Sequence, residues 1–413
     1  MSEPQADSGA FARSEEVARK SAGGRRPSAA TIVSNPFRAV RLGGFMPFMW
    51  YGMRLGPWLR LLAAARFRIS LNRLPNVVGV TLFAIITSLV YLASEALFRR
   101  KAEKIKVVAP VFVLGHWRSG TTFLHNLLTR DPATAYPTTF ECSLPNGFLI
   151  FERPAGWIFS LFLPSKRPTD EVPVGADMPF EDEFALPKIG VGSPYERFAV
   201  PDDESIGSRY LDLADLTEQE RTRWQEGFLW LVRRLQLAHR GKRLVLKSPP
   251  HTARVATLLK LFPDARFVHI SRNPFEIYPS NWRLVKFANS RFGLKNPAND
   301  EVALPEQILA TLPRMYAAYE RDLHLIPPGR LIEMRYEDLA EKPEEAVATI
   351  YGRLGLGDFE EIRPIVRGYL AGLGAHRAKE HRLSETERAA IVQRWGFYFR
   401  RFGYAHLLPS NAA

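Results

Sequence analysis

Apolar positions along this chain fall into two regimes, one continuous and one periodic. Between residues 77 and 94 there is no charge, and only Gly79, Thr81, Thr87 and Ser88 dilute the apolar run. That length is at the lower limit for crossing a bilayer, so the run predicts a span, a buried helix or an interfacial one. After the basic cluster ending at Lys106, short apolar strands alternate with helices. Residues 111–114 read as a strand ending at Gly115, and Phe123, Leu124, Leu127 and Leu128 then share one helical face. A helix over 217–240 carries Phe228, Leu231, Val232 and Leu235 at core spacing. A strand over 244–246, a helix over 252–262 (Val255, Leu258, Leu259, Phe262) and a strand over 266–270 form a second unit. A strand over 331–334 precedes a helix with Val347, Ile350, Tyr351 and Leu354. Strands separated by helices predict an α/β fold: a parallel sheet flanked by helices on both faces, with ligands at the carboxyl ends of its strands. Residues 132–210, rich in proline and aromatics and weakly periodic, suit long loops over an active site.

Composition adds scale and compartment. A chain of 413 residues, 46% apolar, can bury one large α/β domain plus an appendage. Its single cysteine, Cys142, rules out an intrachain disulfide and fits a reducing, cytoplasmic setting. Residues 1–36 are polar, lack the apolar core of a secretory signal and read as a flexible tail.

The net charge of +13 is concentrated at the front, where residues 1–110 hold 17 Lys/Arg against 6 Asp/Glu, while the remainder holds 39 against 37. No acid occurs between Glu16 and Glu95. Over that stretch Arg38, Arg41, Arg54, Arg60, Arg66, Arg68 and Arg73 interleave with Phe45, Met46, Phe48, Met49, Trp50, Trp58 and Phe67. Such a mixture suits an anionic membrane surface, here through residues 37–98. It equally suits helices packed on the catalytic part with their Arg stems lying along it. No nucleic-acid module is visible. The division expected is a tail (1–36), a basic helical, membrane-associated appendage (37–105) and a catalytic domain (106–408).

The sharpest motif is Gly115-His116-Trp117-Arg118-Ser119-Gly120-Thr121-Thr122. It lies between a strand and a helix, where glycines let backbone N–H groups converge on an anion at the helix N-terminus. The spacing is that of an ATP phosphate loop, but Thr121 stands where that loop has Lys, and the cation has moved upstream to Arg118. This argues against a nucleotide triphosphatase. A second motif, Phe267-Val268-His269-Ile270-Ser271-Arg272-Asn273-Pro274, leads to Ser280. An Arg at a strand end and a Ser on the next helix can meet one phosphate, as charged fork and hydroxyl donor.

These two motifs, with Leu246-Lys247-Ser248-Pro249 between them and Tyr336-Glu337-Asp338-Leu339 after them, resemble the sulfotransferase superfamily that uses 3′-phosphoadenosine 5′-phosphosulfate (PAPS). The likeness covers about residues 110–354 and is nearest to the bacterial-type branch with this loop. It implies a P-loop NTPase-like sulfotransferase fold and transfer of a sulfonate group from PAPS to a hydroxyl or amine of a small-molecule, lipid or glycan acceptor, with no metal. By position, the resemblance gives Arg118, Ser119, Gly120, Thr121 and Thr122 to the 5′-phosphosulfate, and Arg272 and Ser280 to the 3′-phosphate; His116, inside the loop, is read as a phosphate contact rather than a base. Lys247 takes the position beside the transferring sulfonate. Two departures stand out. Pro279 precedes Ser280 inside a helix, and the Gly-rich adenine loop of the cytosolic steroid and phenol enzymes is replaced by 374–404, with His376, His381, Trp395 and Tyr398.

Transfer requires a base for the acceptor proton, and three residues are candidates. Glu181, in Pro179-Phe180-Glu181-Asp182-Glu183-Phe184, belongs to an acidic triplet in an apolar setting, costly unless it serves a site. His251 lies near the catalytic His of the cytosolic enzymes but is offset by two residues. Glu141 resembles the Glu of tyrosylprotein sulfotransferases, with longer spacing. Two readings of other classes remain. One is a nucleotide-dependent kinase, which needs Mg²⁺ ligands and a phosphate-loop Lys; the other is a catalytically silent, membrane-bound nucleotide-binding protein.

Overall fold

The computed structural model describes residues 49–151, 159, 175–203, 205–297, 300–373 and 383–409. The expected tail, Arg38, Arg41, Phe45, Met46, Phe48, His376 and His381 lie outside the described residues.

In chain order the principal elements begin with two helices, α1 (Leu55–Ala64) and α2 (Leu74–Glu103). The strand β1 (Val111–Leu114), helix α3 (Thr121–Leu128), strand β2 (Thr134–Ala135) and helix α4 (Thr139–Ser143) follow. Next come α5 (Glu218–Ala238), β3 (Arg243–Lys247), α6 (Val255–Leu261), β4 (Arg266–Ser271), α7 (Pro274–Phe292) and α8 (Asp300–Asp322). The chain closes with β5 (Leu331–Arg335), α9 (Tyr336–Glu341), α10 (Pro343–Leu354), α11 (Phe359–Ala371) and α12 (Glu385–Arg401).

Among the described residues five strands form one sheet, all parallel, in the order β2-β3-β1-β4-β5. Side chains alternate across a strand, and the core divides accordingly. Phe112, Leu114, Leu244, Leu246 and Phe267 face α5, α6, α7, α8 and α12. Val111, Val113, Val245, Val268 and Ile270 face α3, α10 and α11. The result is the helix–sheet–helix sandwich expected, with strands β1, β3, β4 and β5 each within a residue or two of their sequence-predicted limits. The two-residue β2 carries too little pattern to be foreseen.

The front end is built into this body. The described residues belong to one compact unit, and α2 packs against α1 and α5. Trp58 Nε1 donates to Thr81 Oγ1 at 2.9 Å, the Leu55 amide to Ser88 Oγ at 2.9 Å and Trp230 Nε1 to Glu95 Oε1 at 3.0 Å, while Arg234 pairs with Glu95. Trp50, fully buried, donates to the Phe292 carbonyl at 2.8 Å. A second apolar cluster joins Trp50, Trp58, Val77, Val80 and Ala84 to Tyr195, Ala199 and Leu294 of the body.

Of the four buried histidines among the described residues, three besides His251 have their proton affinity lowered. His125 bonds the Val245 carbonyl at 3.0 Å, His269 stacks between Tyr319 and Phe402, and His116 lies in the loop after β1. Burial, which penalises the charged form, lowers His116 and His269 to about 4 and His125 to about 3. Unfolded histidine titrates near pH 6.5, so the unfolded chain binds more protons as pH falls below that value. The stabilisation held by the neutral rings is complete above pH 6.5 and is lost toward pH 4. Near pH 5 the three together steepen the loss to about 4 kcal/mol per pH unit. Urea midpoints measured at pH 7, 6 and 5 check this, and a flat profile would contradict it.

Candidate active site

The site begins at the carboxyl ends of β1, β3 and β4. Gly115 leaves β1 with φ +142°, a region open mainly to glycine, and a Cβ there would lie 2.5 Å from the Ile270 carbonyl oxygen. Its amide donates to Thr252 Oγ1 at 2.8 Å. The loop then turns on itself, with the Ser119 amide and hydroxyl both donating to the His116 carbonyl, at 3.1 and 2.8 Å. Gly120, at φ +98°, opens α3, and a Cβ there would lie 2.3 Å from the Tyr336 ring. An α-helix leaves its first amides without intrahelical acceptors, and the first turn of α3 presents those of Thr121 and Thr122 at the end of this loop.

Lys247 ends β3 opposite Val113 of β1, one residue below the loop. Its Nζ lies 2.5 Å from Glu181 Oε1 and 3.4 Å from Thr122 Oγ1. Glu181 Oε2 accepts from Tyr195 Oη at 2.6 Å, and Tyr195 Oη accepts from Trp117 Nε1 at 2.9 Å. A continuous polar chain thus runs from the phosphate loop through Tyr195 and Glu181 to Lys247 and back to Thr122. Burial and the neighbouring Glu181 push the Tyr195 hydroxyl well above its ordinary range, which keeps it a donor to that carboxylate. Around it Phe180, Phe184, Tyr195 and Phe198 stack with ring centroids 4.8–5.6 Å apart.

The acidic triplet is anchored by one short stretch of chain. Glu181 meets Lys247; Asp182 accepts from Ser248 Oγ at 3.1 Å and pairs with His251 Nε2 at 2.6 Å; Glu183 takes Arg254 on both oxygens, at 2.7 and 3.1 Å. Burial alone would raise the Asp182 carboxyl, but His251 and Ser248 hold it below its usual range. His251, one of the three candidate bases, is wholly buried on this partner. Glu141 is the N3 residue of a capping box on α4, accepting from the Thr138 amide at 2.8 Å, and pairs with His239. Glu181 is therefore the candidate base that the structure brings against Lys247 and the loop. His116 is also enclosed, its Nδ1 on the Trp117 carbonyl at 2.9 Å and its Nε2 without a protein partner among the described residues.

The second motif adjoins the first. Arg118 Nε donates to Ser280 Oγ at 2.8 Å, and Arg272 Nη1 donates to the Arg118 carbonyl at 3.3 Å. The Arg272 guanidinium lies over the Tyr336 ring at 4.3 Å and pairs with Glu276. Its amide donates to Tyr398 Oη of α12 at 3.3 Å. Helix α7 runs unbroken through Pro279, so Ser280 stays on a helix. Arg283, three residues on, was not foreseen. Burial, and then the charge of Arg118, lower its guanidinium from the usual value, which sets a further cation beside this pair. Its spacing from Ser280 was the only signal. Tyr195 had none, because its role depends on a loop fold. No group of three or more His, Cys, Asp or Glu is gathered for a metal ion among the described residues.

An anion loop at a strand end, a strand-end Lys on a carboxylate and a second Arg/Ser cradle beside them define a group-transfer enzyme of the nucleotide-binding α/β class. The chain belongs to the sulfotransferase family: the family model matches residues 110–361, more than half of its length. It is 35% identical over 366 residues to the omega-hydroxy-beta-dihydromenaquinone-9 sulfotransferase Stf3 of Mycobacterium bovis and of Mycobacterium tuberculosis, covering 88% of this chain and 93% of the relative. Among solved structures it shares its fold with sulfotransferase STF9 of Mycobacterium avium (TM-score 0.57, 22% identity, 76% of this chain, 81% of that one). It also shares it with STF1 of Mycobacterium tuberculosis (TM-score 0.57, 19% identity, 87% and 95%). The protein is accordingly a sulfotransferase, and PAPS is the donor typical of its family.

The triplet's anchorage generates a stability prediction. Arg254→Met leaves the Glu183 carboxylate buried without its fork, and should cost about 3–5 kcal/mol. Guanidinium midpoints of the two proteins measure it; a loss below about 1 kcal/mol would mean that the pair contributes little to holding the loop.

Proposed function

We propose that this enzyme transfers the sulfonate of PAPS to a hydroxyl of a lipid-like acceptor at the cytoplasmic face of a membrane, with Glu181 as base. The observation that carries the reading is the 2.5 Å contact of Glu181 with Lys247, itself 3.4 Å from the phosphate-loop hydroxyl of Thr122. Arg118 with Ser119, Gly120, Thr121 and Thr122 would hold the 5′-phosphosulfate, and Arg272 and Ser280, supported by Arg283, the 3′-phosphate. The acceptor oxygen attacks sulfur as the bond from sulfur to the bridging phosphate oxygen breaks. The acceptor proton passes to Glu181, and Lys247 with Arg118 meets the charge gathering on the departing oxygen of adenosine 3′,5′-bisphosphate. His251 on this reading positions Asp182, and through it the residue that follows β3.

A lipid-like acceptor is supported by the relative named for a hydroxylated dihydromenaquinone and by the aromatic cluster around Glu181. The catalytic part faces the cytoplasm because PAPS is made there, and the membrane-facing part is the exposed side of the basic front end, whose other side is packed on the body.

Glu181→Gln should keep donor binding and lower turnover at least about a hundredfold. Labelled-sulfonate transfer against a calorimetric titration of adenosine 3′,5′-bisphosphate separates the two effects, and undiminished turnover would move the base elsewhere. The same bisphosphate should raise the melting temperature well above any shift given by ADP or AMP, because only it fills both cradles. Equal shifts would favour a kinase-like or silent nucleotide binder.

A further inference from the structure

Helix α2 is apolar on two opposite faces, and among the described residues only one of them is covered. Val77, Val80, Ala84 and Ala102 are buried on its inner face. Thr81, Ser88 and Glu95, spaced seven residues apart, tie the helix to Trp58, Leu55 and Trp230. Its outer face presents Leu74, Val78, Leu82, Ile85, Leu89 and Leu92, each at least 42% exposed. With Leu71 and Leu97 at its ends the stripe runs about 40 Å. A soluble monomer rarely leaves so long an apolar strip open.

What surrounds the stripe identifies its occupant. No acid occurs between residues 17 and 94, and cations cluster at both ends: Arg66 and Arg68 before it, Arg99, Arg100 and Lys101 after it. Arg66 and Phe67 both adopt the left-handed region, at φ +51° and +52°, which is costly for side chains of this kind, and Phe67 stands 62% exposed at this turn. An apolar face flanked by cations and an exposed aromatic matches an anionic bilayer surface. A second copy of the chain would bring these like charges together.

We infer that α2 lies in the plane of an anionic membrane, its outer face in the acyl boundary and its inner face on the catalytic body, and that it does not span. A span would have to strip away the contacts of Thr81, Ser88 and Glu95 and carry the Glu95–Arg234 pair into hydrocarbon. Only 28% of its apolar window is buried, so the helix is not an ordinary core helix either. The apolar cluster on its inner face reaches Tyr195, with Trp117 and Phe184 packed on it. The face that docks on the membrane is thereby packed, through its own helix, on the wall that holds Tyr195 against Glu181. This deepens the surface-bound reading above and rests on it.

The full-length protein should co-sediment with phosphatidylglycerol-containing vesicles and much less with pure phosphatidylcholine. L82E/L89E should weaken that binding at least about tenfold while leaving the melting temperature and the affinity for adenosine 3′,5′-bisphosphate unchanged. Equal binding by both proteins would overturn the proposal. So would a wild-type dimer that L82E/L89E dissociates while vesicles capture neither, since the face would then belong to a second copy. Orientation is read separately. Cys142 is buried, so single cysteines introduced as Asn72→Cys and Lys101→Cys report alone. A membrane-impermeant maleimide should label both from the outside of loaded vesicles, and labelling of one end only would mean that the helix crosses. A wild-type protein that binds vesicles but not the bisphosphate would break the sulfotransferase reading and leave the docking face standing.

Discussion

Three consecutive acids, Glu181, Asp182 and Glu183, meet three bases drawn from a single eight-residue stretch, Lys247, His251 and Arg254. Two of these pairs are wholly enclosed. A buried carboxylate that loses its partner costs far more than the pair contributes over a hydrophobic replacement, so the arrangement acts as a register lock and adds little as a source of stability. It leaves one way to lay the loop over the end of β3. Because the two inner pairs are closed, the outer one is held at the mouth of the loop with its carboxylate 14% exposed. That exposure is what the proposed base would need to meet a substrate hydroxyl, and the neighbouring pairs hold its backbone.

The lock works because of what the parallel sheet does beside it. In a parallel sheet neighbouring strands end on the same side, and here β1, β3 and β4 run in register through Val113, Lys247 and Val268. Lys247 and Arg272 therefore emerge on either side of the phosphate loop, each from a strand one spacing, about 4.8 Å, from β1. The Arg118–Ser280 hydrogen bond is the visible consequence. Two motifs separated by more than 150 residues in sequence share one wall, as the proposed donor, with phosphates at both ends of an adenosine, would require.

Much of this was legible beforehand, for a physical reason. Strands β1, β3, β4 and β5 are fully or largely apolar runs closed by glycine or by charged residues, and such runs have few alternatives. The loop motif carries its own backbone demand in Gly115 and Gly120, so its position could be read from residue types alone. Glu181 was legible as an anomaly, an acidic triplet in an apolar stretch. Its partners were less so: His251 looked like a base from its place after Lys247, whereas its ring is committed to Asp182, a contact 69 residues away in sequence. Tyr195 acts through the folding of a loop and no local pattern marks it, while Arg283 was marked only by its helical spacing from Ser280. The packing of α2 was undecidable from its composition, because a helix apolar on every side fits a core and a bilayer equally well. Only the polar contacts of Thr81, Ser88 and Glu95 distinguish the two.

Charge is crowded beside the phosphate loop. Arg118 and Arg283 lie close enough for the one to lower the other's proton affinity, and Arg272 is turned onto Glu276 and Tyr336. Like charges held together by packing raise the energy of the protein without its ligand, and a multiply charged anion relieves that cost when it arrives. On the proposed reading, part of the attraction of a doubly phosphorylated nucleotide would then be the removal of a repulsion already present. A singly phosphorylated nucleotide would relieve less of it, so discrimination would follow from the crowding as well as from the hydrogen bonds. Glu276 completes the proposal: as a neighbouring carboxylate it aims Arg272, and a dianion, with more charge to offer the guanidinium fork, would displace it.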